Sequence, residues 1–257
     1  MRRSGRIRWL LVLLLVVVAV AAVPLLGYLG TQQAPDYYIQ KLKQEKLHLS
    51  EAREASHEMT RKVGALAGDL QQTGQWQAIF TQDQINGWLA VDLVEKHADL
   101  LPRGVRDPRV FLKADKATVV CYYEGGWPAS VYSIHVEPYI AAPNQLAVRL
   151  VGFRAGAVPV PLTTVIEELK LQALQRKIPL EWATDGGDPV AMFAIPPSED
   201  MQKKRLILES VELRDEAIVL SGRTEESNGE PRSRAKLRWH FDVADQPDAD
   251  EKEKVQR

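Results

Sequence analysis

The hydrophobic pattern changes character several times along the chain, and each change marks an element. From Trp9 to Gly30 the sequence is apolar and uncharged. As a helix, a run of about twenty apolar residues rising roughly 1.5 Å each crosses the roughly 30 Å hydrocarbon core of a bilayer. The rival reading is a cleaved signal peptide, with Arg2, Arg3, Arg6 and Arg8 as its basic segment and Ala19, Ala21 and Ala22 as a small-residue cleavage site. The apolar stretch continues past those alanines through Val23, Leu25, Leu26 and Leu29, so an uncleaved anchor is expected over 9–30. Arginines crowd one flank and no basic residue stands on the other until Lys41. By the positive-inside rule residues 1–8 then lie in the cytoplasm and the remainder outside a bacterial cytoplasmic membrane.

After a short 31–35 linker, residues 36–75 are rich in Lys, Glu, Gln, Ala and Leu and read as a helical stalk. Leu42, Leu49, Ser56, Val63 and Leu70 recur every seven residues, with Ala52, Met59 and Leu66 three further on, an imperfect seam. The seam admits a spacer helix, packing on its own domain, or a homodimer. Thr81 then has the look of an N-cap, with Gln84 completing a capping box. A second amphipathic helix follows, with Ile85, Trp88, Leu89 and Asp92 on one face, ending before Pro102.

From Val105 the period becomes two. RVFLK and TVVCYY flank a compact turn at 114–117 and read as a hairpin. In SVYSIHVEPYI, Tyr132, Ile134 and Val136 alternate with Ser133, His135 and Glu137, one dry face and one wet. QLAVRLVGFR follows beyond a turn at Pro143 and Asn144, with Leu146, Val148 and Leu150 facing one way and Arg149, Val151 and Phe153 the other. GAVPVPLTTVIEELKLQALQRK passes from an extended proline segment into a helix with Leu162, Val165, Ile166, Leu169 and Ala173 at helical spacing. Further strands are expected in VAMFAI, in a hairpin turning near Asp215, and in AKLRWHFDV; residues 245–257 lack the apolar content to fold. The fold class expected is α+β: an N-terminal transmembrane helix and helical stalk, then a twisted antiparallel sheet packed on or wrapped around two helices, spanning 76–244. A doubly wound nucleotide fold is excluded by the missing βαβ alternation.

Composition narrows the function. The 257 residues carry 33 basic and 34 acidic groups, a balance that excludes a general nucleic-acid binder. Cys121, the sole cysteine, sits in an apolar run and reads as an inert thiol. No nucleotide, zinc-protease or serine-hydrolase signature occurs, so no catalysis, cofactor or metal is expected. His135 and Glu137 share a strand face, where a solvated ion pair is preferred over a shared metal. DGGD at 185–188 is turn chemistry.

FTQDQINGWL, the strands after it, NQLAVRLVGFRAGAVPVPLTTVIEEL and the hairpin VELRDEAIVLSG resemble, in their order, the YpmS-like family of single-span extracytoplasmic proteins of uncharacterised function. Thr81 and Asn86 match that family's first helix, and Gly156, Pro159 and Pro161 its small-residue and proline segment. The resemblance covers Phe80 to Gly222 and implies an architecture similar to the tubular lipid-binding superfamily, which wraps a twisted sheet around a long helix and holds acyl chains. The expected function is a membrane-anchored extracytoplasmic binding domain that holds a lipid or other hydrophobic ligand in an apolar groove. The candidate lining is Ile85, Trp88, Leu89, Val158, Leu162, Val165, Ile166 and Leu169. The alternative is a scaffolding protein of the cell envelope that self-associates through its stalk and docks a protein partner.

Overall fold

The computed structural model describes residues 28–125, 129–175, 180–194 and 204–226. Most of the expected anchor, the last expected strand and the tail lie outside those residues. Among the described residues no helix is long and apolar enough to cross a membrane.

The fold is α+β with a large antiparallel sheet. Helices α1 (Asp36–Leu47) and α2 (Leu49–Leu70) precede strand β1 (Gly74–Thr81), followed by α3 (Gln82–Ala90) and the short α4 (Asp92–Lys96). Strands β2 (Val105–Lys113), β3 (Lys116–Tyr123), β4 (Ser130–Ala142), β5 (Gln145–Ala155) and β6 (Val158–Pro159) come next, then α5 (Leu162–Gln175). Strands β7 (Leu180–Asp185), β8 (Asp188–Ala194), β9 (Lys204–Arg214) and β10 (Ala217–Glu226) complete the described chain. The large sheet runs β2-β3-β4-β5-β8-β7, with β6 also on β5, and a smaller sheet runs β1-β10-β9.

The stalk segment is two helices, not one. His48 leaves helical geometry at φ −122°, ψ 51°, and the change of direction lets both helices pack on the domain. On α1, Tyr38 is buried against Val120 and Val131, and its hydroxyl donates to Asp107 O at 2.9 Å. On α2, the seam residues Ala52 and Ser56 are buried while Leu49 and Val63 remain exposed. Gly87 of α3 makes that crossing feasible, since a Cβ there would lie 2.7 Å from Ala52 O and 2.9 Å from Ser56 N. The turn expected at 185–188 joins two strands: LEWATD, which the periodicity does not single out, pairs with β8 through a tight turn in which Gly186 and Gly187 take φ of 60° and 92°, the two positive values such hairpins need.

Side-chain amides seal the open strand edges. The capping box of α3 forms as the sequence suggests, Thr81 Oγ1 accepting from Gln84 N and Gln84 Oε1 from Thr81 N. One turn on, Asn86 donates to Val110 O and accepts from Val110 N, both at 2.8 Å, while Gln82 Oε1 accepts from Leu112 N at 2.7 Å. Four helical residues rise about 6 Å and two strand residues about 6.6 Å, so i, i+4 amides on a helix match i, i+2 backbone groups on a strand edge. Edge strand β2 is thereby closed against further pairing. Asn144, at φ 63° in the β4–β5 turn, does the same for β9, accepting from Leu208 N at 2.7 Å and donating to Leu206 O.

Beneath α3, Ser56 Oγ and Lys96 Nζ both donate to Asp92, which is buried. The Lys96 and Ser56 hydrogen bonds hold the Asp92 carboxyl below its ordinary value of 3.8. A depressed carboxylate contributes stability above its unfolded pKa and loses it as pH falls through the folded one. The urea midpoint is therefore expected to drop below about pH 4, and Asp92→Asn to flatten that part of the profile; an unchanged profile in the variant would contradict this role.

Candidate functional site

The face of the large sheet expected to be wet is covered by α1. Besides Tyr38, Arg109 fixes the helix: its Nε donates to Glu45 Oε2 at 2.7 Å, its second amino group lies 2.6 Å from the same oxygen, and a third donor reaches Pro108 O. Ser133, on the nominally polar side of β4, is accordingly buried. Tyr37, next to the buried Tyr38, turns its ring edge-on to Phe111, centroids 4.7 Å apart.

Strand register lays out the floor beside this helix. Phe111, Thr118, His135 and Gly152 are successive partners across β2, β3, β4 and β5, and Val120, Ser133 and Arg154 form the neighbouring row. A bulge between His135 and Val136, where β5 contributes an extra residue, puts Leu150 and Phe153 on one face despite their odd separation and leaves Gly152 facing His135. A Cβ at Gly152 would sit 3.2 Å from His135 Cδ2, so the glycine gives the imidazole its room.

Two clefts open over this floor. The first, about 650 Å³, is lined by Tyr37, Phe111, Lys116, Thr118 and His135 and closes at the Asp215–Glu216 turn. The second, about 570 Å³, is lined by residues 33–37 with Ser133, His135, Arg154 and Gly156. They share Tyr37 and His135 as lining residues and so adjoin there, two lobes of a groove beside α1. His135 does not pair with Glu137 as expected: its Nδ1 is 2.9 Å from Thr118 Oγ1, and Glu137 pairs with Arg149 at 3.5 Å. Burial, then the charges of Lys116 and Arg154, push the His135 pKa down, favouring a neutral ring; burial raises that of Tyr37, opposed by Arg154.

A third cleft, about 320 Å³ between α1, α2 and α3, is acidic, with Glu45, Glu51, Glu54, Glu58 and Asp83 against Lys41 and His48. Among the described residues no cluster of His, Cys, Asp and Glu is arranged to hold a metal. Burial pushes the Cys121 thiol up to about 11, which keeps it protonated and unreactive near neutral pH.

The expected lining residues fall elsewhere. Ile85 packs on the cluster of Leu112, Ala117 and Leu213, Trp88 stacks on His97 at 5.9 Å, and Leu89 is half-buried on the same helix. Val158 faces Gly30, and Leu162 and Ile166 are half-buried on α5, which packs on β5; Leu169 is exposed. The side chain of Val165 lies outside the described residues. None of these residues lines the three clefts. The groove residues carried a fainter signal: a Tyr-Tyr pair at 37–38 heading an otherwise charged helix, and a serine and a histidine, Ser133 and His135, on the supposed wet face of β4.

The chain matches no family model, no curated protein and no solved structure. The groove's chemistry is therefore read from its own residues: aromatic walls, a hydroxyl-bound imidazole and a cation bordering each cleft.

Proposed function

We propose that this chain is a membrane-tethered binding protein that takes up an amphiphile in the groove beside α1 and performs no catalysis on it. In this reading residues 9–30 span the cytoplasmic membrane and the described domain stands outside. The observation that carries it is that the two clefts adjoin at Tyr37 and His135, with one end built from residues 33–36, directly after the expected span. The chain entering that end is tied down. Ala157 N donates to Gly30 O at 2.9 Å, Ser130 Oγ donates to Thr31 O, and Gly156, at φ 56°, lets the backbones meet, since a Cβ would lie 2.3 Å from Thr31 O. A groove mouth fixed beside the point of membrane exit suits a ligand drawn from the bilayer. Burying its chain would yield about 25 cal/mol per Å² of apolar surface removed from water, without any reactive group. The YpmS-like and tubular lipid-binding resemblance supports the reading by analogy of fold.

The test uses the full chain in phosphatidylcholine vesicles doped with a phospholipid bearing a diazirine on its acyl chain. Photolabelling is expected on peptides containing Tyr37 and Phe111 as well as on 9–30, and Thr118→Trp, which fills the floor, should reduce the groove labelling about tenfold while leaving the span labelled. Labelling confined to 9–30 in both proteins would contradict the proposal.

A second reading, self-association through α1 and α2, is favoured by the exposure of Leu47, Leu49 and Val63. A monomer mass for the full chain in sedimentation would remove it.

A further inference from the structure

Polar groups are concentrated at the waist of the groove. His135 stands where the two clefts meet, with Nδ1 engaged by Thr118 and no partner for Nε2 among the described residues. Lys116 lines the cleft on one side of the ring and Arg154 the cleft on the other. The Arg154 guanidinium donates one hydrogen bond, to Ala157 O at 3.0 Å, and the Lys116 ammonium has neither a hydrogen bond nor an ion pair among the described residues. Since a guanidinium carries five donors in a fork suited to carboxylate or phosphate, most of its capacity is left over. The N-terminus of α1 reaches the same cleft, and its N-cap Pro35 offers no side-chain cap. Of the acidic groups bordering the groove, Asp215 accepts from Ala114 N at the far turn, Glu216 lies beside it, and Asp36 sits at the membrane-side rim. None of them is paired with Lys116 or Arg154.

Two exposed cations border the clefts that meet at His135, and no carboxylate among the described residues pairs with either; an anion held at the ring would be drawn to both. Resting on the reading of the groove as an amphiphile site, we propose that the Lys116–His135–Arg154 waist holds an anionic head group, phosphate or carboxylate, with the attached chain lying along Tyr37 and Phe111. The groove would thus select by charge as well as by greasiness: the aromatic wall accepts any chain, and the waist decides which amphiphile stays.

The experiment uses the full chain in phosphatidylcholine vesicles and two probes with the same diazirine chain, one headed by phosphatidylglycerol and one by phosphatidylcholine. Groove labelling by the anionic probe is expected to exceed that by the zwitterionic one about fivefold, the worth of roughly one well-placed charge contact. Lys116→Gln with Arg154→Gln should bring the anionic probe down to the level of the other without altering the latter, whereas Lys116→Arg with Arg154→Lys should keep most of the preference. Excess inorganic phosphate should leave the labelling unchanged. Equal labelling by both probes overturns the head-group assignment while leaving the groove as an amphiphile site. Loss of labelling in phosphate overturns it in favour of a free anion, and no groove labelling by either probe overturns it together with the groove reading.

Discussion

Asn86→Leu is expected to destabilise the protein by about 3 kcal/mol, because the fully buried amide is the partner of both the N–H and the C=O of Val110. Leucine nearly preserves the volume, so the loss isolates hydrogen bonding from packing. Each backbone group left without a partner in a buried setting costs about 1–3 kcal/mol. The same change reopens the edge of β2, which is next to the groove floor at Phe111. Denaturant unfolding should show a lower midpoint with an unchanged slope. A midpoint within error of the unsubstituted protein would mean that water replaces the amide and that α3 is not a structural cover for β2.

Gly87→Ala is expected to destabilise by about 2 kcal/mol, against the usual sign. Glycine inside a helix normally costs about 1 kcal/mol relative to alanine, so the propensity argument alone calls for a gain. Here the added Cβ would meet Ala52 O at 2.7 Å, Ala55 Cβ at 2.8 Å and Ser56 N at 2.9 Å, and two of these are backbone atoms of a packed helix that have no rotamer to yield. Relief requires α2 to move, which also pulls Ser56 from Asp92. Calorimetry should show a lower melting temperature, and acid sensitivity between the variant and Asp92→Asn should converge. A raised melting temperature would show that the α2–α3 crossing is loose. The Asn86 and Gly87 effects share one helix and are not expected to add.

Local chemistry was legible in the sequence where it depends on a few neighbouring residues. Thr81 and Gln84 specify a cap through their own backbone, the 114–117 and Asp215 turns join adjacent strands, and period-two alternation marks β4 and β5. What alternation could not convey is which face another element would cover. Ser133 and His135 look solvent-facing in sequence, yet α1 lies over them because Tyr38, Arg109 and Glu45, far apart in the chain, lock together. The bulge at His135 likewise depends on the register with β5, and it shifts Phe153 to the side opposite the one its parity implies.

The expected lining and the clefts differ for a related reason. Apolar spacing on α3 and α5 identifies residues that will be covered, and Ile85 and Ile166 are at least partly covered. Such spacing does not distinguish filling a core from lining a space. The groove is built instead from a mixed set, Tyr37, Phe111, Thr118, His135 and Arg154, drawn from α1, β2, β3, β4 and β5. No single segment carries enough of it to form a motif. Gly152 is the most informative member in retrospect, since a strand glycine opposite a histidine leaves room where a side chain would have closed the floor.

The central claim is that this groove is occupied by an amphiphile, and its most direct test is native mass spectrometry of the full chain released from lipid nanodiscs, alongside the Thr118→Trp variant. A single retained adduct of lipid mass on the unsubstituted chain, absent from the variant while both melt at comparable temperatures, is the predicted result. The same adduct pattern on both proteins, or a bare chain mass for both, would contradict it.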